Sequence, residues 1–239
     1  MTEQEWLAAH HPGLMLTLLF GIPPDQWYDD DPQYPGTKPQ IEGMDNLRKL
    51  RLFGCACCRR IWDELRSTKS KQAIELAEQY ADGLTRGLSG WVRREWVMGW
   101  LMQAAQKEDQ VNGWSISSLE WAPFCVLRKD LRHLLDAAWF VEQRSLNGEA
   151  KSQADLVRDI FGNPFRPVSL DPTWLAWNAG TVQKIAQAIY EERAFDRLPI
   201  LADALEEAGC TNADILAHCR RPGEHVRGCW VLDLILGKA

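Results

Sequence analysis

Apolar residues recur along most of the chain with a helical period. Leu50, Gly54, Cys57, Ile61 and Leu65 form one stripe, and Ala73, Ala77, Tyr80, Ala81 and Leu84 form a second. Val182, Ile185, Ala186 and Ile189 repeat the pattern, with Lys184, Gln187 and Glu191 on the opposite face. Helix signals flank these stripes. Thr181 is placed as an N-cap, and Thr211-Asn212-Ala213-Asp214 has the shape of a capping box in which hydroxyl and carboxylate each serve an orphan N–H. Gly209 is placed as the closing glycine of the preceding helix. Alternating strand patterns are nearly absent. The apolar segment from Cys229 to Leu236 fits a buried helix or a buried strand by pattern alone; helix is expected, because no second strand is available to pair with it.

Two stretches break the helical pattern. Residues 21–44 carry Pro23, Pro24, Pro32, Pro35 and Pro39 around the acidic run Asp29-Asp30-Asp31, and read as a long Pro-rich loop. Gly162-Asn163-Pro164-Phe165-Arg166-Pro167, followed by Asp171-Pro172, reads as an ordered turn region. The expected fold is therefore all-α, a compact multi-helix bundle over residues 1–239, with a C-terminal subdomain at 163–239 as the alternative division.

Composition adds limits. The 239 residues suit one large or two small domains, and 46% hydrophobic with 25% charged residues is ordinary globular usage. A net charge of −6 weighs against a general nucleic-acid grip. The seven cysteines are an odd number in a long chain, which argues against a secreted disulfide framework. The acidic start Met1-Thr2-Glu3-Gln4-Glu5 does not read as a signal peptide, and no apolar run reaches the ~20 residues of a membrane span. A cytoplasmic protein with reduced thiols and no membrane partner is expected.

Several segments carry a family resemblance. They are Met1 to Leu7, Lys49 to Trp62 (KLRLFGCACCRRIW), Ala73 to Gly83 (AIELAEQYADG), Arg158 to Leu175 (RDIFGNPFRPVSLDPTWL), Ala188 to Arg220 and Pro222 to Lys238 (PGEHVRGCWVLDLILGK). Together they resemble a paralogue-rich family of uncharacterised proteins of planctomycete bacteria. The resemblance implies a bacterial, intracellular, mostly helical protein and mildly favours an interaction role; it carries no activity. The Pro-rich loop at 21–44 departs from the family pattern and looks like an insertion.

Two constellations can carry chemistry. His218-Cys219-x5-His225-x3-Cys229 offers four zinc-type ligands within one short segment, with Pro222-Gly223 able to fold its halves together. Its spacing lacks a Cys-x2-Cys knuckle, and His218 and Cys219, adjacent on a helix, point about 100° apart. The bland alternative is a helix end in which Cys219 and Cys229 are small buried hydrophobes. Cys55 and Cys58 share a helix face beside Arg59 and Arg60; they read as a tightly packed helix, as a thiol-redox pair, or as additional ligands to the C-terminal cluster.

The 12 tryptophans suggest a surface as well as a core. Trp91, Trp96 and Trp100 mark one helix with Arg93 and Arg94 between them, a composition found at protein interfaces. Nucleotide-loop, metalloprotease and serine-hydrolase motifs do not occur. The leading expectation is a non-catalytic interaction or adaptor protein using the Trp/Arg surface to bind another protein. The alternative is a metal-binding or thiol-redox protein using the His/Cys cluster.

Overall fold

A computed structural model describes residues 1–21, 44–83, 99–104, 106–107, 118–128, 131–144 and 148–238. Every regular element among them is helical, so the all-α expectation holds. No helix among them is long and apolar enough to cross a membrane. Of the Pro-rich loop expected at 21–44, residues 22–43 lie outside the described residues, and Met44 begins a helix.

The chain divides into two units, Met1–Val157 and Arg158–Ala239, with the boundary inside a helix. The N-terminal unit holds α1 (Glu3–Ala8), α2 (Pro12–Phe20), α3 (Met44–Arg60), α4 (Thr68–Ala81), α5 (Ser118–Cys125), α6 (Leu131–Arg144) and most of α7 (Glu149–Phe161). Helix α3 packs against α4 and α6, and α5 packs against α4 and α6. Every residue from Leu50 to Cys58 is buried, so α3 is enclosed on all sides and not merely along its apolar stripe. That burial includes a charge. The guanidinium of Arg51 donates to the carbonyls of Val126 at 2.9 Å and Arg128 at 2.7 Å, serving backbone acceptors in the turn that follows α5. Two turns on, Arg59 grips Glu78 of α4 through two parallel bonds of 2.6 and 2.8 Å.

Gly54 is what lets α3 come so close. A Cβ at that position would lie 2.8 Å from Val126 Cγ1 and 3.2 Å from the Leu134 carbonyl oxygen. Cys55, Cys57 and Cys58 around it are buried thiols, the packing role that the bland reading gave them.

In the C-terminal unit, the short α8 (Pro172–Ala176) precedes α9 (Thr181–Glu192), α10 (Leu198–Glu207), α11 (Ala213–Arg220) and α12 (Trp230–Leu236). Their apolar faces meet in one core that includes Val182, Ile189, Leu201, Leu205, Ile215 and Leu232. The segment of uncertain pattern at 229–236 is a helix from Trp230. Two caps differ from expectation. Asn212, not Thr211, caps α11, its side-chain oxygen accepting from the N–H groups of Asp214 and Ile215. Thr181 is the first residue of α9 behind a left-handed Gly180, and its hydroxyl donates back to the Asn178 carbonyl.

Gly54→Val would force two groups into the α3–α6 contact, one of them against backbone. It is expected to destabilise the protein by about 2–3 kcal/mol, measured by urea unfolding. An unchanged midpoint would remove this close approach as a constraint on the fold.

Candidate metal centre

The C-terminal unit gathers Asp159, His218, His225 and Cys229, and one potential ligand atom from each lies within 4.8 Å of all the others. Four pieces of chain supply them. Asp159 is in the last turn of α7, His218 near the end of α11, His225 in the connection after it, and Cys229 at the cap position of α12. Asp159 and Cys229 are 0% exposed, and the side chains of His218 and His225 are 7% and 5% exposed.

The carboxylate is the hub. Its Oδ1 lies 2.5 Å from His225 Nδ1 and 3.2 Å from His218 Nε2, and its Oδ2 accepts from the Val226 N–H at 3.0 Å. The Arg221 guanidinium adds a longer contact of 3.8 Å. Burial pushes the Asp159 pKa up, but the hydrogen bonds from His218 and His225 outweigh it and hold the carboxyl below its ordinary value. Burial likewise pushes His218 down, against the opposing pull of Asp159, so its neutral form is favoured.

His218 is fixed from its other side as well. Trp230 Nε1–H donates to its Nδ1 at 2.9 Å. Because an indole N–H can only donate, Nδ1 carries a lone pair and the ring hydrogen sits on Nε2. That hydrogen faces both Asp159 Oδ1 and Cys229 Sγ, each at 3.2 Å. The rings of His218 and His225 meet edge to face at 4.9 Å between centroids, and those of His218 and Trp230 at 5.1 Å.

This arrangement does not suit nucleophilic catalysis. A Cys–His–Asp triad needs the carboxylate and the thiol on opposite ring nitrogens, so that one orients while the other exchanges a proton. Here both meet Nε2. Burial also drives the Cys229 thiol well above its ordinary pKa, so it is not a thiolate waiting to attack.

It does suit a cation. Two imidazoles, a thiol and a carboxylate are the ligand types of zinc sites, and four of them enclosed from solvent match the closed structural kind. The surrounding contacts fit in part. Val226 steadies the second carboxylate oxygen, and the Arg221 carbonyl, 3.4 Å from His225 Nε2, can accept the ring hydrogen when Nδ1 ligates.

The sequence-level ligand set is thus reordered. His218, His225 and Cys229 come together, and Cys219 does not join them. Cys219 follows His218 on a helix, where successive side chains diverge by about 100°. It is buried in the apolar core instead, its thiol pushed up to about 12 by that burial and by Cys210. Asp159 takes the fourth place. Cys55 and Cys58 belong to the N-terminal unit and are not members of the group. Of the Trp/Arg surface, Trp91, Arg93, Arg94 and Trp96 lie outside the described residues; Trp100 is 56% exposed, with the Lys69 ammonium 5.3 Å from its ring centre. No known protein-family model matches the chain, and no similar protein is found among curated proteins or solved structures.

The two depressed pKa values set the pH response of the metal-free protein. The unfolded chain takes up the His218 proton below about pH 6.5 and the Asp159 proton below about pH 4, while the folded chain resists both. The contribution of these two groups to stability is therefore full above pH 6.5 and falls with acid, first through His218 and later through Asp159. Thermal melts with chelator present are expected to show this descent from pH 7.5 to pH 4, and a flat profile would contradict it. Asp159→Ala, which strands two buried imidazoles, is expected to cost about 3 kcal/mol at pH 7.

Proposed function

We propose that this protein binds a single transition-metal ion, zinc in preference to the hard cations, through Asp159, His218, His225 and Cys229. The reading rests on one observation: four different ligand atoms within 4.8 Å of one another in a buried pocket of side chains. Thiol and imidazole donors favour zinc over magnesium or calcium, which prefer all-oxygen shells. Four protein ligands leave no open position for substrate, so the ion's role is structural: it would join the end of α7 to the α11–α12 segment.

The hydrogen-bonded group is spaced differently from a metal-bound one, with ligand atoms as near as 2.5 Å and others up to 4.8 Å apart. Tetrahedral zinc with bonds near 2.0–2.3 Å places its ligand atoms about 3.3–3.6 Å apart. The 2.5 and 3.2 Å separations around Asp159 would widen as the ion replaced the shared hydrogens. Cys229 would have to lose its proton, so binding weakens in acid. A partner-binding role for the Trp- and Arg-rich segment is supported by the exposed ring of Trp100 alone; the metal reading has four converging groups and is the conclusion.

Elemental analysis of untagged protein, together with a zinc titration, is expected to give one ion per chain. The apparent affinity is expected to fall at least about tenfold per pH unit as the Cys229 proton competes. Cobalt(II) should give a thiolate charge-transfer band that Cys229→Ser removes and Cys219→Ser preserves. Sub-stoichiometric metal and no cobalt band would overturn the reading.

A further inference from the structure

We propose that Trp230 is a latch on this centre: its indole N–H holds His218 in the tautomer that cannot bind metal, and the ion must displace it. The inference rests on the metal reading of the four-residue group and adds how that group is regulated.

A neutral imidazole has one nitrogen with a lone pair and one with hydrogen. His218 Nδ1 accepts from Trp230 Nε1–H at 2.9 Å, so the lone pair points at the indole and the hydrogen at the ligand cluster. The atom within reach of the cluster is Nε2, 3.2 Å from both Asp159 and Cys229. To ligate through Nε2, a neutral His218 must carry its hydrogen on Nδ1 instead. Two N–H groups would then face each other across 2.9 Å, and the indole has to turn away.

The proton balance is simple. The His218 and His225 hydrogens each change nitrogen without leaving their rings, the Cys229 thiol proton goes to solvent, and the sulfur lone pair it leaves binds the ion. His225 makes the corresponding change without conflict: its hydrogen moves from Nδ1, where it faces Asp159, to Nε2, where the Arg221 carbonyl at 3.4 Å accepts it. The conflict between the metal-free and metal-bound forms is therefore confined to the Trp230–His218 contact.

The indole is placed to respond. Trp230 is the first residue of α12 and is only partly buried. On its inner side it lies against Gly162, where an added Cβ would approach Cγ to 3.2 Å. Gly162 also has φ +70°, a backbone conformation that side chains beyond Cα disfavour, so the seat is open for two reasons. Metal binding would thus be reported at the partly exposed start of the last helix.

The test uses the full chain labelled with 15N, with the Trp230 indole resonance assigned by its absence in Trp230→Phe. Zinc chloride is expected to move that resonance away from its hydrogen-bonded position in step with uptake of one ion. Trp230→Phe is expected to bind zinc about tenfold more tightly, since one hydrogen bond no longer opposes loading. One ion bound with the indole resonance unmoved would overturn the latch and leave the metal reading intact, as would equal or weaker binding by a folded Trp230→Phe. No zinc uptake by either protein would overturn both. Should the variant fail to fold, the wild-type indole resonance is assigned by triple-resonance connectivities to the Trp230 backbone and decides alone.

Discussion

A carboxylate cut off from water must be surrounded by donors or give up its charge, because the lost hydration is worth several kcal/mol. Asp159 meets that requirement by taking hydrogens from two imidazoles and a backbone N–H. Much of the local architecture follows. The chain after α11 has to turn back at Pro222-Gly223 so that His225 and the Val226 N–H face the helix end carrying Asp159. Cys229 and Trp230 then arrive beside His218 as the next helix begins. Remove the carboxylate, and three segments lose their reason to converge.

The N-terminal unit handles buried charge differently. Arg51 sits in the most enclosed part of α3, yet its donors go to main-chain carbonyls in the turn after another helix, and Arg59 meets Glu78 face to face. Each arginine closes a contact between two elements and leaves no cluster of small donors around it. The thiols beside them, Cys55, Cys57 and Cys58, are packing groups in a tight helix crossing that Gly54 permits. The contrast explains why one cysteine-bearing segment suggests a ligand shell and the other does not.

The helical class was legible because apolar stripes at 50–65, 73–84 and 182–189 repeat at 3.6 residues, and helices need only local pattern to declare themselves. Three of the four centre residues were legible because they fall within one short segment rich in His and Cys. Asp159 was not, since its partners lie 66 residues away and spacing within a segment carries no such information. A weak signal existed: Asp159 lies three residues after Leu156 and next to Ile160, which puts a carboxylate in register with the apolar face of its helix. Cys219 was a plausible ligand by type and was excluded by geometry, as neighbouring helix positions point apart. The caps at Asn212 and Gly180 differ by a single residue from their expected places, the usual scale at which helix ends escape pattern.

The 66-residue gap between Asp159 and His225 also bears on how the chain reaches its final state. Joining Asp159 to His225 closes a long loop, which is entropically disfavoured and slow. A misdocked end of α7 leaves a buried carboxylate without donors and two imidazoles without an acceptor, an error too unfavourable to persist. The polar hub thus works as a selectivity filter on assembly: any packing of the C-terminal helices that leaves Asp159 without its donors is penalised by a buried, unpaired charge.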